Sequence, residues 1–223
     1  MALSCASKDV WQAGQYCTSN TDLCVEGYPS SANTFAYNLF KVLRPRITYA
    51  HHTHTIANLR RAEQHDVPAL VLFRDPEDAV PSFASRFRLN TVEAGLRYID
   101  YYSYVLKNLN RVLLVSFEEM TQDTTTAVDR FTAWSGCDFG SFEPDKMEED
   151  VFERIEEWTR KHGRNARKHG RSAKVSFPRE EREARKEELR SELEKTSVFQ
   201  GCRSVYESLL CRYKGSSAQD GSV

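Results

Sequence analysis

The hexapeptide Pro68-Ala69-Leu70-Val71-Leu72-Phe73 carries no charge and no polar alternation, and it breaks off at Arg74-Asp75-Pro76. A strand that buries one face alternates apolar and polar residues, so an unbroken apolar run must be covered on both faces. Three other runs have related character: Leu23–Tyr28, Ile47–Ala50 and Arg111–Phe117. Helical patterns separate them, over Thr34–Leu43 (stopped by Pro45), Ile56–Gln64, Ala79–Phe87 and Val92–Leu109, and Thr125–Trp134 follows the last run. Strands of this kind alternating with helices predict an α/β fold, a three-layer sandwich with a central parallel sheet between helices. Ligands in such sheets bind at the carboxyl ends of the strands. The 223 residues suffice for one such domain, expected over 1–213, with the Gly/Ser-rich end 214–223 left as an unstructured tail. No internal repeat is visible.

Composition narrows the function. A formal charge of -1 is unlike the basic surplus of a nucleic-acid binder. No stretch approaches the roughly 18 apolar residues of a membrane span. The start Met1-Ala2-Leu3-Ser4-Cys5 lacks a signal-peptide pattern, which points to the cytoplasm. Six cysteines, Cys5, Cys17, Cys24, Cys137, Cys202 and Cys211, show no CxxC or CxxH spacing, so no zinc site is expected. Reduced thiols are the expectation, a Cys202–Cys211 or Cys5–Cys17 disulfide being the alternative in an oxidising compartment.

Three strand ends carry the candidate chemistry. Gly27-Tyr28-Pro29-Ser30-Ser31-Ala32-Asn33-Thr34 follows the first strand and opens a helix, whose free N–H groups make an anion site. It has the length of the phosphate loop GxxxxGK(S/T), with Ala32 for the second Gly and Asn33 for the Lys. Without that lysine, one phosphate bearing one further anionic group fits better than a β/γ-phosphate pair. The plain alternative is a strand–helix turn capped by its Ser and Asn residues. After the third strand, Arg74 suits a bidentate phosphate contact, and Ser82 follows eight residues later, about two helical turns on. Its alternative is pairing of Arg74 with Asp75 or Asp78, Asp75 serving as a helix cap. After the second strand comes His51-His52-Thr53-His54. Histidine is the commonest general base near neutral pH, and in an extended segment His52 and His54 share a face. No third ligand stands at useful spacing for a metal, and a solvated loop is the alternative.

The order of these elements is more specific than any one of them. Tyr28-Pro29-Ser30-Ser31-Ala32-Asn33-Thr34-Phe35 resembles the 5′-phosphosulfate loop of sulfotransferases that use 3′-phosphoadenylyl sulfate (PAPS), usually YP(K/R)SGTTW or PRSGNTF. Arg74-Asp75-Pro76-Glu77-Asp78-Ala79-Val80-Pro81-Ser82-Phe83 resembles that family's 3′-phosphate motif, RNPxDxxxSxx, with the family's spacing from Arg to Ser. His54 falls about 20 residues before the arginine, where the family keeps its base, and the HxH form at His52/His54 is familiar from carbohydrate sulfotransferases. Leu113–Met120 resembles the fourth strand and its YEDM ending. The likeness covers roughly Leu23 to Phe139, and Arg167-Lys168-His169-Gly170 is the candidate for the late RKG segment over the 3′-phosphate.

That resemblance implies a sulfotransferase fold related to the P-loop nucleotide-binding folds, with PAPS as cosubstrate, PAP as product and no metal. Ser30, Ser31, Ala32, Asn33 and Thr34 would hold the 5′-phosphate, and Arg74 and Ser82 the 3′-phosphate. Phe35 would stack on adenine, with Phe117 nearby and Arg167, Lys168 and Gly170 closing over the nucleotide. His54, assisted by His52, would deprotonate the hydroxyl or amine of a carbohydrate or small-molecule acceptor. Two departures matter: Ser30 replaces the Lys or Arg that stabilises the leaving oxygen, and Phe117 replaces a tyrosine. They keep open a catalytically weak PAPS-binding or PAP-binding regulatory module, and Asn33 weighs against a P-loop kinase. Arg167, Lys168 or Arg171 is the candidate replacement cation. Farther on, Glu148–Glu157, Pro178–Lys195 and the tyrosine-rich Tyr98–Tyr104 read as two solvated helices and a core helix.

Overall fold

Four strands, β1 (Leu23–Gly27), β2 (Tyr49–His51), β3 (Ala69–Phe73) and β4 (Val112–Ser116), make one parallel sheet in the order β2-β1-β3-β4. The computed structural model that shows this describes residues 15–168 and 180–219. Every residue of the four strands is buried. Leu23 and Val25 of β1, Leu70 and Leu72 of β3, and Leu113 and Val115 of β4 join one apolar cluster. Their alternating neighbours Cys24, Val71, Phe73, Val112 and Leu114 join the other. Helices cover both clusters, which is why the strands read as unbroken apolar runs.

The helices are α1 (Asn33–Leu43), α2 (Ile56–Gln64), α3 (Pro76–Phe87), α4 (Thr91–Lys107), α5 (Phe117–Gln122), α6 (Thr124–Ser135), α7 (Pro144–Lys168), α8 (Glu180–Glu194) and α9 (Ser197–Gln219). Tyr37, Leu39 and Phe40 of α1, Val128 and Phe131 of α6 and Val151 and Ile155 of α7 pack on the first cluster. Leu59 of α2, Val80 and Phe83 of α3, Tyr98 and Tyr102 of α4, Leu189 of α8 and Tyr206 of α9 pack on the second. The chain leaves β1 toward β2 and leaves β3 toward β4, so the strand order reverses between β1 and β3. A crevice at that reversal is where open parallel sheets bind ligands. Gly27 closes β1 there because a Cβ would sit 2.5 Å from the Leu72 carbonyl oxygen.

Boundaries differ from the sequence pattern for local reasons. β2 starts at Tyr49, not Ile47: the Thr48 N–H is taken by the Asp22 carboxylate (2.7 Å) and the Ile47 carbonyl by Lys41 Nζ (3.2 Å). α3 starts three residues early, with Asp75 accepting from the Glu77 N–H (2.9 Å) and Pro76 in the first turn, the capping role considered for Asp75. Pro81 inside α3 offers no N–H to the Glu77 carbonyl, and Arg190 Nε of α8 donates to that carbonyl instead, at 3.2 Å. Phe117 belongs to α5 rather than to the fourth strand, because Ser116 caps that helix through the Glu119 N–H.

The chain expected to be unstructured from 214 is helical to Gln219, as α9 is anchored upstream by buried Cys202, Tyr206 and Leu209. Cys17, Cys24, Cys137, Cys202 and Cys211 are free thiols, and Cys5 lies outside the described residues. Cys202 and Cys211 stand on one helix about 13 Å apart along its axis, too far to bridge. Among the described residues no helix is long and apolar enough to cross a membrane.

Candidate functional site

The segment after β1 turns sharply to start α1. Ser30 (φ 70°) and Ala32 (φ 67°) are left-handed, a conformation that costs a non-glycine residue about 1–2 kcal/mol. Ala32 is the N-cap of α1 and supplies no side-chain acceptor, whereas α3, α4, α5 and α6 are capped by Asp75, Asn90, Ser116 and Asp123. The first N–H groups of α1 therefore lack a side-chain cap beside the β1–β3 reversal. The Asn33 amide turns inward and donates to the Tyr28 carbonyl (2.9 Å), so the position of a Walker lysine holds an internal brace. Ser31 is fully buried, its hydroxyl 3.4 Å from the Tyr102 hydroxyl, and offers backbone rather than side chain. Phe35 lies 5.8 Å from the ring of Phe152 on α7.

Tyrosines of α4 support this turn. The Tyr102 hydroxyl donates to the Leu72 carbonyl (2.8 Å) and accepts from the Tyr28 N–H (3.3 Å). Tyr98 donates to the Arg74 carbonyl (2.8 Å). The helix is core by burial, yet its hydroxyls hold the loops after β1 and after β3 together. An apolar count of the helix face does not reveal this.

The histidine segment is not extended as expected. His52 (φ 55°) and His54 (φ 52°) are both left-handed, because Glu26 of β1 gathers the turn around its carboxylate. Glu26 is completely buried. One of its oxygens accepts from the Thr53 N–H (2.9 Å), the Thr53 hydroxyl (2.8 Å) and Asn58 Nδ2 (2.8 Å), and the other from the His54 N–H (2.9 Å). The His52 and His54 rings still meet edge to face, 5.8 Å apart. Their bonds differ. His54 Nδ1 lies 2.8 Å from the Gly27 carbonyl, which only accepts, so Nδ1 carries the proton and Nε2 keeps its lone pair. His52 is committed on both sides, Nε2 to the Thr34 hydroxyl (3.1 Å) and Nδ1 to His51 Nδ1 (2.9 Å).

Burial lowers the pKa of all three imidazoles. His51 is pushed to about 4 by burial, then by His54 and Lys41. His52 lies well below its ordinary value through burial, His54, His51 and Arg86. For His54 burial lowers the value, the Glu26 charge and the Gly27 carbonyl oppose it, and Arg86 lowers it further. His54 is therefore neutral at pH 7, the form a base needs. Glu26, His51, Asn58 and Arg86 were not singled out from the sequence. Glu26 interrupts an otherwise apolar strand, and that interruption is the signal that could have found it.

Arg74 follows β3 and spans the reversal. Its Nη1 donates to the Ser30 carbonyl (3.2 Å), its guanidinium lies 4.0 Å over the Phe117 ring, and its Nη2 pairs with Asp78 (3.2 Å). Phe117 is thus a platform for the arginine. Asp78 is shared with Arg190 of α8 (2.8 Å), and Arg203 of α9 pairs with Asp75 (3.0 Å). Ser82 lies half-buried on α3, and among the described residues no hydrogen bond joins it to Arg74. Arg167 and Lys168 end α7, while Gly170 and Arg171 lie outside the described residues. The structure thus brings together the Ser30–Thr34 turn, His52, His54, Arg74 and Phe117. Among the described residues no cluster of three or more His, Cys, Asp or Glu side chains can hold a metal ion.

No family model and no curated protein matches the chain. Among solved structures, mouse sulfotransferase SULT7A1 complexed with PAP is similar at 16% identity and a TM-score of 0.47. The match covers 61% of this chain and 66% of that one, just under two thirds of the neighbour's length. A likeness of that size fixes neither family nor activity.

Proposed function

We propose that the crevice binds PAPS and that the chain transfers its sulfuryl group to a hydroxyl or amine acceptor, releasing PAP. The observation that carries this is the convergence of a side-chain-uncapped helix start, a neutral histidine whose Nδ1–H is held by the Gly27 carbonyl and an arginine bonded to the Ser30 carbonyl. The α1 N–H groups and the Thr34 hydroxyl receive the 5′-phosphosulfate, and Arg74 with Ser82 receives the 3′-phosphate. Phe35 offers an aromatic face to adenine. His54 Nε2 accepts the acceptor proton as the acceptor oxygen or nitrogen attacks sulfur in line. The new bond to sulfur forms while the bond from sulfur to the 5′-phosphate oxygen breaks, and PAP departs with that electron pair. His52, tied to Thr34, serves as a brace of the phosphate loop rather than a second base.

Ser30 presents a carbonyl to Arg74 where the resembling family has a cation, so charge on the leaving oxygen must be met from elsewhere. Arg86 of α3, whose field reaches both His52 and His54, supplies positive charge on the base side. The same observation favours a second reading, a PAP-binding module with feeble turnover. A kinase of the P-loop kind finds an inward-facing amide at its lysine position.

Calorimetric titration with PAP, with 5′-AMP and ATP as controls, tests the binding. The expected result is tight PAP binding and weak binding of both controls, followed by labelled transfer from PAPS in an acceptor screen. PAP binding without transfer would select the binding module, ATP binding without PAP binding the kinase, and no nucleotide binding would overturn the proposal.

A further inference from the structure

Glu26 is a carboxylate with no exposed surface, in an inner strand of a parallel sheet, on a face otherwise packed with Cys24, Val71, Phe73 and Leu114. Burying a carboxylate is costly unless donors surround it. Here four donors do, and all come from one short stretch, Thr53 to Asn58. Two are backbone N–H groups of the turn that carries His54. Asn58, at the first turn of α2, also accepts from the Cys17 N–H (2.7 Å), so the network reaches the segment that leads into β1. The next residue of β1, Gly27, supplies the carbonyl that accepts the hydrogen bond from His54 Nδ1–H. Consecutive residues of one rigid strand thus hold the backbone of His54 and fix its tautomer.

We infer that Glu26 is a positioning residue for His54, holding the turn that keeps Nε2 as the unprotonated nitrogen. The assignment to catalysis rests on the sulfotransferase reading, whereas the structural coupling of Glu26 to His54 stands apart from it. Left-handed backbone at both His52 and His54 does not persist without bonds that over-determine it. The Thr53 and His54 N–H groups bonded to Glu26 are those bonds. Neutral glutamine keeps one acceptor oxygen but turns an NH2 donor toward donors, so Glu26→Gln releases part of the turn without removing bulk. The charged and titratable groups around His54 are Glu26 on β1, His51 and His52 beside it, and Arg86 on α3. Of these only the Glu26 carboxylate raises the proton affinity of His54, so its neutralisation moves the His54 titration to lower pH.

The test uses the full chain with nitrogen-15-labelled histidine. In the wild type, His54 is expected as the pure Nδ1–H tautomer. In E26Q the tautomers mix and the titration midpoint falls. With an acceptor from the screen, kcat drops about 100-fold with little change in the KM for PAPS, the size of loss that misplacing a reacting group by an ångström produces. A tautomer and midpoint unchanged in E26Q overturn the inference. Should E26Q fail to fold, Thr53→Ala removes one donor and leaves the charge. Faster solvent exchange of the His54 N–H and Nδ1–H then supports the inference, and unchanged exchange overturns it. PAP titration separates the two claims, since a wild type that binds no PAP sinks the sulfotransferase reading while the histidine spectra still decide the role of Glu26.

Discussion

The two sides of the crevice are built by different physics. On the β1–β2 side, the buried Glu26 carboxylate and a chain of imidazoles, His51 buried and His52 half-buried, hold the half-buried His54 through short hydrogen bonds. On the β3–α3 side, Arg74 pairs with Asp78, whose side chain is 45% exposed and already bonded to Arg190. Fully satisfied buried networks rigidify what they hold, whereas exposed ion pairs contribute little and exchange partners readily. The histidine side is therefore preorganised, and in the proposed function the Arg74 side would trade a carboxylate for a phosphate, with Arg190 keeping Asp78 satisfied when Arg74 leaves it. Substitutions that expose this asymmetry range from large to small.

The largest effect is expected at His54. His54→Ala removes the lone pair at Nε2 and leaves the α1 start and Arg74 untouched, so turnover in any acceptor reaction of the wild type should fall about 10²–10⁴-fold. PAP affinity should stay within a few-fold. Retained turnover in steady-state assays would move the base to His52, despite its two existing bonds.

Acidification should strain the base side. His51 is buried against Tyr37 (ring centroids 3.9 Å apart), with its pKa lowered from 6.5 to about 4. The folded protein thus prefers the neutral ring and the unfolded chain binds the proton first. The sign follows: the contribution is complete above pH 6.5, shrinks as pH falls toward 4, and is lost below. The total is on the order of 3 kcal/mol, about 2 of it gone by pH 5. Denaturant unfolding at pH 7 and pH 5 reads this, and His51→Asn should shrink the difference, His52 and His54 keeping the remainder. Equal wild-type stability at the two pH values would mean that the imidazole chain is not sealed from protons.

On the phosphate side, Arg74→Ala should weaken PAP binding by roughly 1.5–3 kcal/mol, the range of a charge-assisted contact. Binding of 5′-AMP, which lacks the 3′-phosphate, should hardly change. Equal losses for both nucleotides would place Arg74 on the 5′ side instead, where it already touches the Ser30 carbonyl. Folding stability should change little, since Asp78 keeps its shorter bond to Arg190.

The asymmetry also marks what could be read from the chain. Unbroken apolar runs made β3 and the parallel sheet legible, and the α2 pattern matched its helix from Ile56 to Gln64. The three strand-end segments were legible because turn residues, histidines and an arginine interrupt those runs. What stayed hidden was long-range. Glu26 bonds to Thr53 and Asn58, 27 and 32 residues away, and Arg190 reaches Asp78 across 112. Such pairs leave no period in the sequence. The left-handed backbone of His52 and His54 leaves no mark in the local sequence for the same reason, since the carboxylate that curls it lies on another strand.

The smallest effect should come from Arg203. Its pairs with Asp75 and Glu77 look like a clamp on the start of α3, but the partners are 30% and 43% exposed. Ion pairs of that exposure contribute about 0–1 kcal/mol. Asp75 is positioned without Arg203 by its cap bond to the Glu77 N–H and by the rigid Pro76, while the Tyr98 hydroxyl holds the neighbouring Arg74 carbonyl. Arg203→Ala should therefore lower stability by less than about 1 kcal/mol in denaturant unfolding and leave PAP affinity nearly unchanged. A loss of affinity comparable to that of Arg74→Ala would erase the contrast between the two sides. The phosphate side would then also depend on a charge network, one running from α9 through Asp75 to the arginine beside it.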